Sequence, residues 1–266
     1  MDLSASVRRF SDDQRAVSAV IGFILIFGIL MITLTVYQAQ IVPQQNAQTE
    51  FKDFEETRDE LIDLRNSIST AGQAGLPQFP SVRLGTSYQS RILTINPASP
   101  TGTLQTEQHD IIIENGTDPQ QKISTRFIEY QPGYNEIEVG STWYENSVLY
   151  LDTPDRNNTI IEEQNLVIGG NELRITALQK NITRTGTSRT TISLDNTQSN
   201  TYLDEFSDTD ELTFKIPTRL NEDYWRTLED DAPEMYDRVE TDDEINRLVV
   251  TTTKENVSIN TVGAYS

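Results

Sequence analysis

The sequence contains no cysteine and a single histidine, His109, among its 266 residues. The absence of cysteine excludes a disulfide framework, a thiolate metal site and a thiol nucleophile. One histidine excludes a zinc site built from several histidines of one chain. The sequence also lacks a P-loop, a glycine-rich dinucleotide turn and a nucleophile elbow, and its many carboxylates single out no acid–base pair. We therefore expect no enzymatic activity, no cofactor and no catalytic residue.

Positive charge is scarce, because 41 acidic side chains stand against 21 basic ones, five of them lysines, and the formal net charge is −20. Such a chain repels nucleic acid, which we exclude as a partner. An acidic, lysine-poor surface suits high salt, because the Debye length falls to about 3 Å near 1 M salt and self-repulsion is screened. The composition predicts a protein of a halophile, and the alternative is an acidic protein of a mesophile.

The longest uncharged stretch lies near the N-terminus, where no charged residue occurs between Arg15 and Glu50. Residues 16–37 are almost wholly apolar, and about 20 such residues span a bilayer as a helix. A cleavable secretory signal has a shorter apolar centre, of about 7 to 15 residues, followed by a small-x-small site. Arginines precede the span and no charge follows it closely, so the positive-inside rule places the N-terminus in the cytoplasm and the rest of the chain outside.

The junction before this span has a distinctive sequence. The leader Ser11-Asp12-Asp13-Gln14-Arg15-Ala16 runs directly into Val17-Ser18-Ala19-Val20-Ile21-Gly22. This junction resembles the N-terminal motif of haloarchaeal type IV pilins, in which proline stands where this chain has Ala19. The resemblance implies processing at Arg15, Ala16 and Val17, with a prepilin-type peptidase cutting between Ala16 and Val17 and the helix retained.

The same resemblance implies partners for the helix, namely membrane lipid and either further copies of this chain or other pilins. The alternative for residues 16–37 is a plain signal anchor, which is neither processed nor polymerised. Both interpretations keep the helix in the mature protein and make the chain a single-pass protein of the cell membrane, with surface filaments as a second location under the first interpretation.

A second helix is predicted after the span. We expect Pro43 to end or kink the membrane helix. Beyond it, apolar residues at helical spacing predict an amphipathic helix of about 20 residues: Phe51, Phe54, Leu61, Leu64 and Ile68. Its apolar stripe needs a partner, which is either the following domain or the same helix of a neighbouring copy in a short coiled-coil stalk.

From residue 82 onward the apolar period changes from 3.6 to 2, which predicts strands. The predicted strands cover residues 92–95, 111–113, 126–130, 143–144 with 148–150, 173–177, 191–194, 212–216 and 257–259. Gly169-Gly170 predicts a tight hairpin, residues 184–189 an exposed loop, and Asn221 the cap of one late helix. Tyr224, Trp225 and Leu228 of that helix are interpreted as core residues rather than as a ligand platform.

These patterns predict an α+β fold, in which a long N-terminal transmembrane and stalk helix precedes a mainly antiparallel β extracellular domain, a sandwich or a partly open barrel. The predicted domains are a leader peptide (1–16), a transmembrane helix (17–42), an amphipathic stalk helix with linker (43–76) and the β-rich extracellular domain (77–266).

Candidate modification sites lie in the predicted extracellular part. Four Asn-x-Ser/Thr sequons occur, of which the first two lie in turn-like segments that suit a glycan best: Asn115, Asn157, Asn181 and Asn256. The acidic runs 207–211 and 229–231 could ligate calcium, but they lack the spacing of an EF-hand loop. We interpret both runs as solvated acidic surface and expect no metal site.

The leading hypothesis from the sequence is a membrane-anchored, pilin-like cell-surface protein of a halophile with a structural or adhesive role, as a filament subunit or minor pilin. The alternative is a signal-anchored extracellular module that binds a solute, a glycan or an envelope partner. An extracytoplasmic hydrolase has little residue support, and it would need a deep pocket that gathers carboxylates around His109.

Overall fold

The computed structural model describes residues 5–92, 95–116, 121–153, 158–199, 201–241 and 244–266, with side chains from Val17 onward except at 198–199. The chain divides into two compact units. The first unit comprises Met1–Thr49 and Tyr88–Ala98, and the second comprises Glu50–Ser87 and Ser99–Ser266.

The helical part of the chain has three consecutive segments. Helix α1 (Ala5–Val36) is followed by a π-helical segment (Tyr37–Ile41) and then by helix α2 (Val42–Ala74). Pro43 was expected to end or kink the helix. It does not end the helix, because α2 continues beyond it for more than eight turns. Proline cannot donate the bond that an α-helix requires at residue 43. Val42 N–H donates to Tyr37 O, five residues back, so the hydrogen-bond register already changes immediately before the proline.

The second unit carries fifteen strands among its described residues. Their bounds are β1 Ser81–Arg83, β2 Gly102–Glu114, β3 Gln121–Gln131, β4 Ser141–Glu145, β5 Val148–Asp152, β6 Thr159–Glu162, β7 Val167–Ile168, β8 Glu172–Gln179, β9 Thr183–Gly186, β10 Arg189–Thr191, β11 Ser193–Ser199, β12 Glu211–Thr218, β13 Tyr236–Glu240, β14 Asn246–Thr253 and β15 Val257–Tyr265. Two short helices, α3 (Glu222–Trp225) and α4 (Thr227–Asp231), lie between β12 and β13.

Within the described ranges the strands form three sheets. The largest has nine strands in the order β13-β14-β12-β2-β3-β4-β5-β6, with β9 paired on β2 as well. A four-stranded sheet has the order β11-β15-β8-β7, and β1 pairs with β10. The pairings are antiparallel except for β15 with β8. The large sheet curls into a half barrel, and the predicted α+β class with a mainly antiparallel β domain is confirmed.

Two hydrophobic clusters fill the second unit. The larger cluster includes Phe127, Phe214 and Trp225, all with at most 1% of their surface exposed. The smaller one joins Leu64 and Ile68 of α2 to side chains of the sheets. The apolar stripe of the helix therefore meets the following domain, as the first of the two alternatives from the sequence predicted.

Several local predictions can be compared directly with the structure. The Gly169-Gly170 hairpin is confirmed, since both glycines have positive φ (60° and 78°) and β7 pairs with β8. Asn221 caps α3 by accepting from Tyr224 N–H at 3.2 Å, but the single late helix is two short ones.

One loop prediction and one strand prediction are wrong. Residues 184–189 are not simply a loop, because Thr183–Gly186 forms β9 on β2. Ile92 and Ile95 lie outside any strand, and positions 93–94 lie outside the described residues.

A buried carboxylate connects β4 to the chain after β12. Glu145 is fully buried, and it accepts hydrogen bonds from Thr218 Oγ1, Arg219 N–H and Tyr150 OH. Burial raises the pKa of Glu145 to about 7, against the opposing effect of these hydrogen bonds. Thr218 Oγ1 also accepts from Trp225 Nε1 at 2.9 Å, so the carboxylate orders the entry to α3.

Candidate membrane anchor and polar helix face

The apolar part of α1 is exposed along its length. Its large side chains from Val17 to Val36 are exposed, and Phe23 is 70% exposed. Folded domains bury side chains of this kind, so the helix needs a different apolar environment. In the described chain one helix is long and apolar enough to cross a membrane, judged by length and composition. The helix therefore has the properties of a single-pass membrane anchor.

The polar groups of this helix suit a lipid environment. Thr33 Oγ1 donates to Ile29 O at 2.9 Å, and Thr35 Oγ1 donates to Met31 O at 2.8 Å. Each hydroxyl hydrogen thus has a partner within the helix, which removes the main cost of placing it in hydrocarbon. The residues from Val17 to Tyr37 span about 30 Å at 1.5 Å per residue, which matches the hydrocarbon core of a bilayer.

The structure places the predicted processing residues inside α1. Arg15 and Ala16 belong to the helix, where only the backbone is described, and Val17 is 57% exposed at the start of the apolar segment. The three residues are consecutive in the sequence. Processing itself remains a prediction.

A non-regular segment of the first unit is fastened to the helix. Gln38 forms two hydrogen bonds with the main chain of Ile95, as its Nε2 donates to Ile95 O (2.8 Å) and its Oε1 accepts from Ile95 N–H (3.1 Å). Arg91 donates to Gln45 Oε1 at 2.9 Å and to Asn46 Oδ1 at 3.2 Å. The segment Tyr88–Ala98 is thus held at two levels of the helix, directly after the apolar span and two turns further on.

In the second unit, the part of α2 that begins at Glu50 presents a buried polar face. Glu50 is fully buried, and its carboxylate accepts three main-chain hydrogen bonds: from Asn135 N–H (2.8 Å), Glu136 N–H (2.9 Å) and Ile137 N–H (3.0 Å). A carboxylate with several N–H donors forms charge-assisted bonds, which are stronger than neutral ones. Glu50 therefore fixes the loop between β3 and β4 on the helix.

One turn further, Asp53 continues this face. Its Oδ2 accepts from Tyr134 OH at 3.0 Å, and its Oδ1 lies 3.4 Å from Arg83 Nη1. Burial raises the pKa of Asp53, while the Tyr134 hydroxyl and the Arg83 guanidinium oppose that effect. Burial also raises the pKa of Tyr134, so its phenol stays protonated and donates.

Two further carboxylates of α2 complete the contact with the short sheet. Glu56 Oε2 lies 2.7 Å from Arg83 Nη1, Glu60 Oε2 accepts from Arg83 N–H at 2.6 Å, and Glu60 also pairs with Arg189 of β10. Hydrogen bonds are directional, whereas apolar packing is not. The four carboxylates therefore fix the rotation of this part of α2 about its axis.

His109 contacts an aromatic ring and a single carboxylate. It lies on β2 with its ring 4.4 Å from that of Phe127 and its Nε2 3.3 Å from Glu107 Oε1. Burial lowers the pKa of His109, which Glu107 opposes and Arg219 reinforces. In the described part of the chain, no group of three or more histidine, aspartate or glutamate side chains is placed to hold a metal ion.

The acidic runs have structural contacts instead. Asp210 Oδ2 accepts from Ser207 N–H at 2.9 Å, which closes a turn before β12. Asp208 pairs with Lys254 at 3.2 Å. These contacts explain two of the carboxylates without a calcium ion.

The sequons differ in how their amide nitrogen is used, and Nδ2 is the atom that would carry a glycan. Asn115 Nδ2 donates to Asp210 Oδ2 (3.2 Å), and Asn256 Nδ2 donates to Thr253 Oγ1 (3.0 Å). Asn181 is exposed, and its described bond uses Oδ1 as acceptor for Arg126. Asn157 lies outside the described residues. Among the described sequons, the geometry favours Asn181 over Asn115.

The polar face of α2 was missed by reasoning from the sequence. The predicted stripe began at Phe51, which is 54% exposed, and the buried positions are Asn46, Glu50, Asp53, Thr57, Leu61, Leu64, Ile68 and Ala71. These positions follow one another at intervals of three or four residues. The signal was therefore present, because the spacing of the apolar residues extends upstream through polar ones.

Comparison with known proteins gives limited information. No family model matches the chain, and no solved structure matches it. An uncharacterized protein from Archaeoglobus fulgidus is 26% identical over 145 residues, which cover 52% of this chain and 25% of that protein. The chain thus spans about a quarter of the length of this relative, and the similarity links it to an archaeal protein.

Proposed function

We propose that this chain is a membrane-anchored, pilin-like cell-surface protein of a halophilic archaeon, with a structural or adhesive role. The N-terminus lies in the cytoplasm and the β domain is extracellular. The observation that carries the proposal is the junction at Arg15-Ala16-Val17, which leads directly into a helix whose large apolar side chains are exposed. Such a helix is available to lipid or to the helices of sister chains.

Two further observations support the proposal. The similarity to a protein of Archaeoglobus fulgidus agrees with an archaeal source. The net charge of −20 keeps a domain soluble in brine, where screening removes most of its self-repulsion.

Mass spectrometry of the native protein from the membrane fraction tests the processing step. We expect an N-terminus at Val17, and an intact Met1 or a cut after Tyr37 would exclude leader processing. Ala16→Trp should block the cut, because a bulky side chain then replaces the small residue before the scissile bond. Ala5→Trp, in the same leader helix, serves as the matched control and should be processed normally.

A second experiment separates the pilin-like role from that of a signal-anchored binding module. Filaments sheared from the cell surface should contain this chain if it is a filament subunit. Confinement of the chain to the membrane fraction, with none in the filaments, favours the module that binds a solute, a glycan or an envelope partner.

A further inference from the structure

Two isoleucines of the first unit are exposed beside the apolar helix. Ile92 is 100% exposed and Ile95 is 82% exposed, although isoleucine is among the residue types most often buried. Both belong to the segment Tyr88–Ala98, which is held on the helix by Gln38 and by Gln45 with Asn46. An apolar surface of this kind is a candidate for contact with lipid or with another protein.

The hydrogen bonds fix the level of the segment along the helix. Gln38 follows Tyr37, the aromatic residue at the end of the span, where the interface of a bilayer lies. Its two bonds to Ile95 satisfy both the N–H and the C=O of that residue, so this part of the main chain can lie where water is scarce. Arg91 bonds about two turns further from the span, at the depth of head groups and water.

Ile92 also borders an apolar cavity on the helix. The cavity has a volume of about 610 Å³ and is lined by Leu30, Met31, Thr33, Leu34, Tyr37, Arg91 and Ile92. Leu30 lies seven residues before Tyr37, which is about 10 Å deeper along the helix. Thr33 Oγ1 donates within the helix, to Ile29 O, so this hydroxyl does not require water. The cavity therefore borders the apolar part of the helix that forms the predicted span.

We propose that Ile92 and Ile95 form a second membrane contact, in which both side chains enter the leaflet at the C-terminal end of the span and a lipid acyl chain fills the cavity between Ile92 and the helix. This inference rests on the proposed membrane anchoring. Lipid is the occupant because the cavity is apolar, open and located on the same stretch of helix that crosses the bilayer.

Single-cysteine labelling tests this inference, because the chain contains no cysteine and each variant carries one label. The full chain with Ile92→Cys or Ile95→Cys is labelled with bimane and reconstituted into vesicles of phosphatidylglycerol and phosphatidylcholine with or without brominated acyl chains. Ile26→Cys, in the middle of the span, is the control for lipid, and Phe79→Cys is the control for an exposed apolar residue of the β domain (66% exposed).

We expect brominated lipid to quench the labels at 92 and 95 as strongly as the label at 26, to within about twofold, and at least about fivefold more strongly than the label at 79. Aqueous iodide should quench the labels in the reverse order. Iodide quenching at 92 and 95, with lipid quenching at 26, would overturn the inference and leave the anchor intact. Protection of the labels at 92 and 95 from both quenchers would show a second protein copy at this surface. That result would also overturn the inference. Iodide quenching at 26 would refute the anchoring and the inference together.

Discussion

Glu50→Ala removes the acceptor of three main-chain hydrogen bonds in the second unit, those from residues 135–137 at 2.8 to 3.0 Å. An unsatisfied buried donor costs about 1–3 kcal/mol. Asn135 and Glu136 are exposed in part, so water can reach the freed amides and the lower end of that range applies. We therefore expect a loss of about 3 kcal/mol in the free energy of unfolding.

This loss can be measured by thermal unfolding of the full chain in detergent and high salt. The two tryptophans, Trp143 and Trp225, are both buried in the second unit, so their fluorescence reports on that unit alone. For a domain of this size, about 3 kcal/mol corresponds to a decrease in Tm of about 6–12 °C. Glu50→Gln keeps the size of the side chain but places an NH₂ group against a donor, and it should lose about 1–2 kcal/mol.

Glu55→Ala is the matched control, because Glu55 is exposed on the same helix. Its Tm should change by no more than about 2 °C, as expected for a surface substitution of about 0.5 kcal/mol or less. A Glu50→Ala protein whose Tm equals that of the Glu55→Ala protein would refute the argument that the buried carboxylate holds the loop on the helix.

The remaining predictions concern the buried acid, a close helix–sheet contact and glycosylation. Burial raises the pKa of Glu145 from its ordinary value of 4.5 to about 7, so folding disfavours the ionised form. The free energy of unfolding should therefore fall by about 3 kcal/mol as pH rises from 4.5 to 7. Glu145→Gln should flatten this dependence in unfolding curves measured at different pH. Gly72→Ala should cost about 1–2 kcal/mol, because its Cβ would lie 2.6 Å from Thr176 Cγ2, and adding Thr176→Ala should recover part of the loss in denaturant unfolding. Glycopeptide mass spectrometry should find higher occupancy at Asn181 than at Asn115; the opposite order would contradict the geometric ranking.

The elements that could be predicted from the sequence are those with strong local signals. The apolar helix has a span of more than 20 residues, the Gly169-Gly170 turn needs positive φ at both positions, and Asn221 is a good N-cap. In β8, Leu173, Ile175 and Ala177 are buried and alternate with more exposed residues, so the period of two was correct.

Of the features that were missed, one strand had a local signal, and the others depend on distant residues. Strand β14 contains Leu248-Val249-Val250 followed by threonines, a run that was overlooked although its composition favours a strand. Strand β9 is exposed and has no apolar period, and it exists because β2 offers an edge for pairing. The spacing of Leu61, Leu64 and Ile68 continues upstream to Asp53 and Glu50, but hydropathy alone marks these two carboxylates as exposed. They are core residues because loop amides and an arginine from elsewhere in the chain satisfy them.

Labelling of intact cells tests the central claim most directly, namely that the apolar helix holds the β domain outside the cell. Ser188→Cys places the only thiol of the chain at an exposed position between β9 and β10. We predict that a membrane-impermeant maleimide labels this variant equally on intact and lysed cells, and that the labelled chain stays in the membrane pellet after a carbonate wash. Labelling only after lysis, or recovery of the chain in the soluble fraction, would contradict the account.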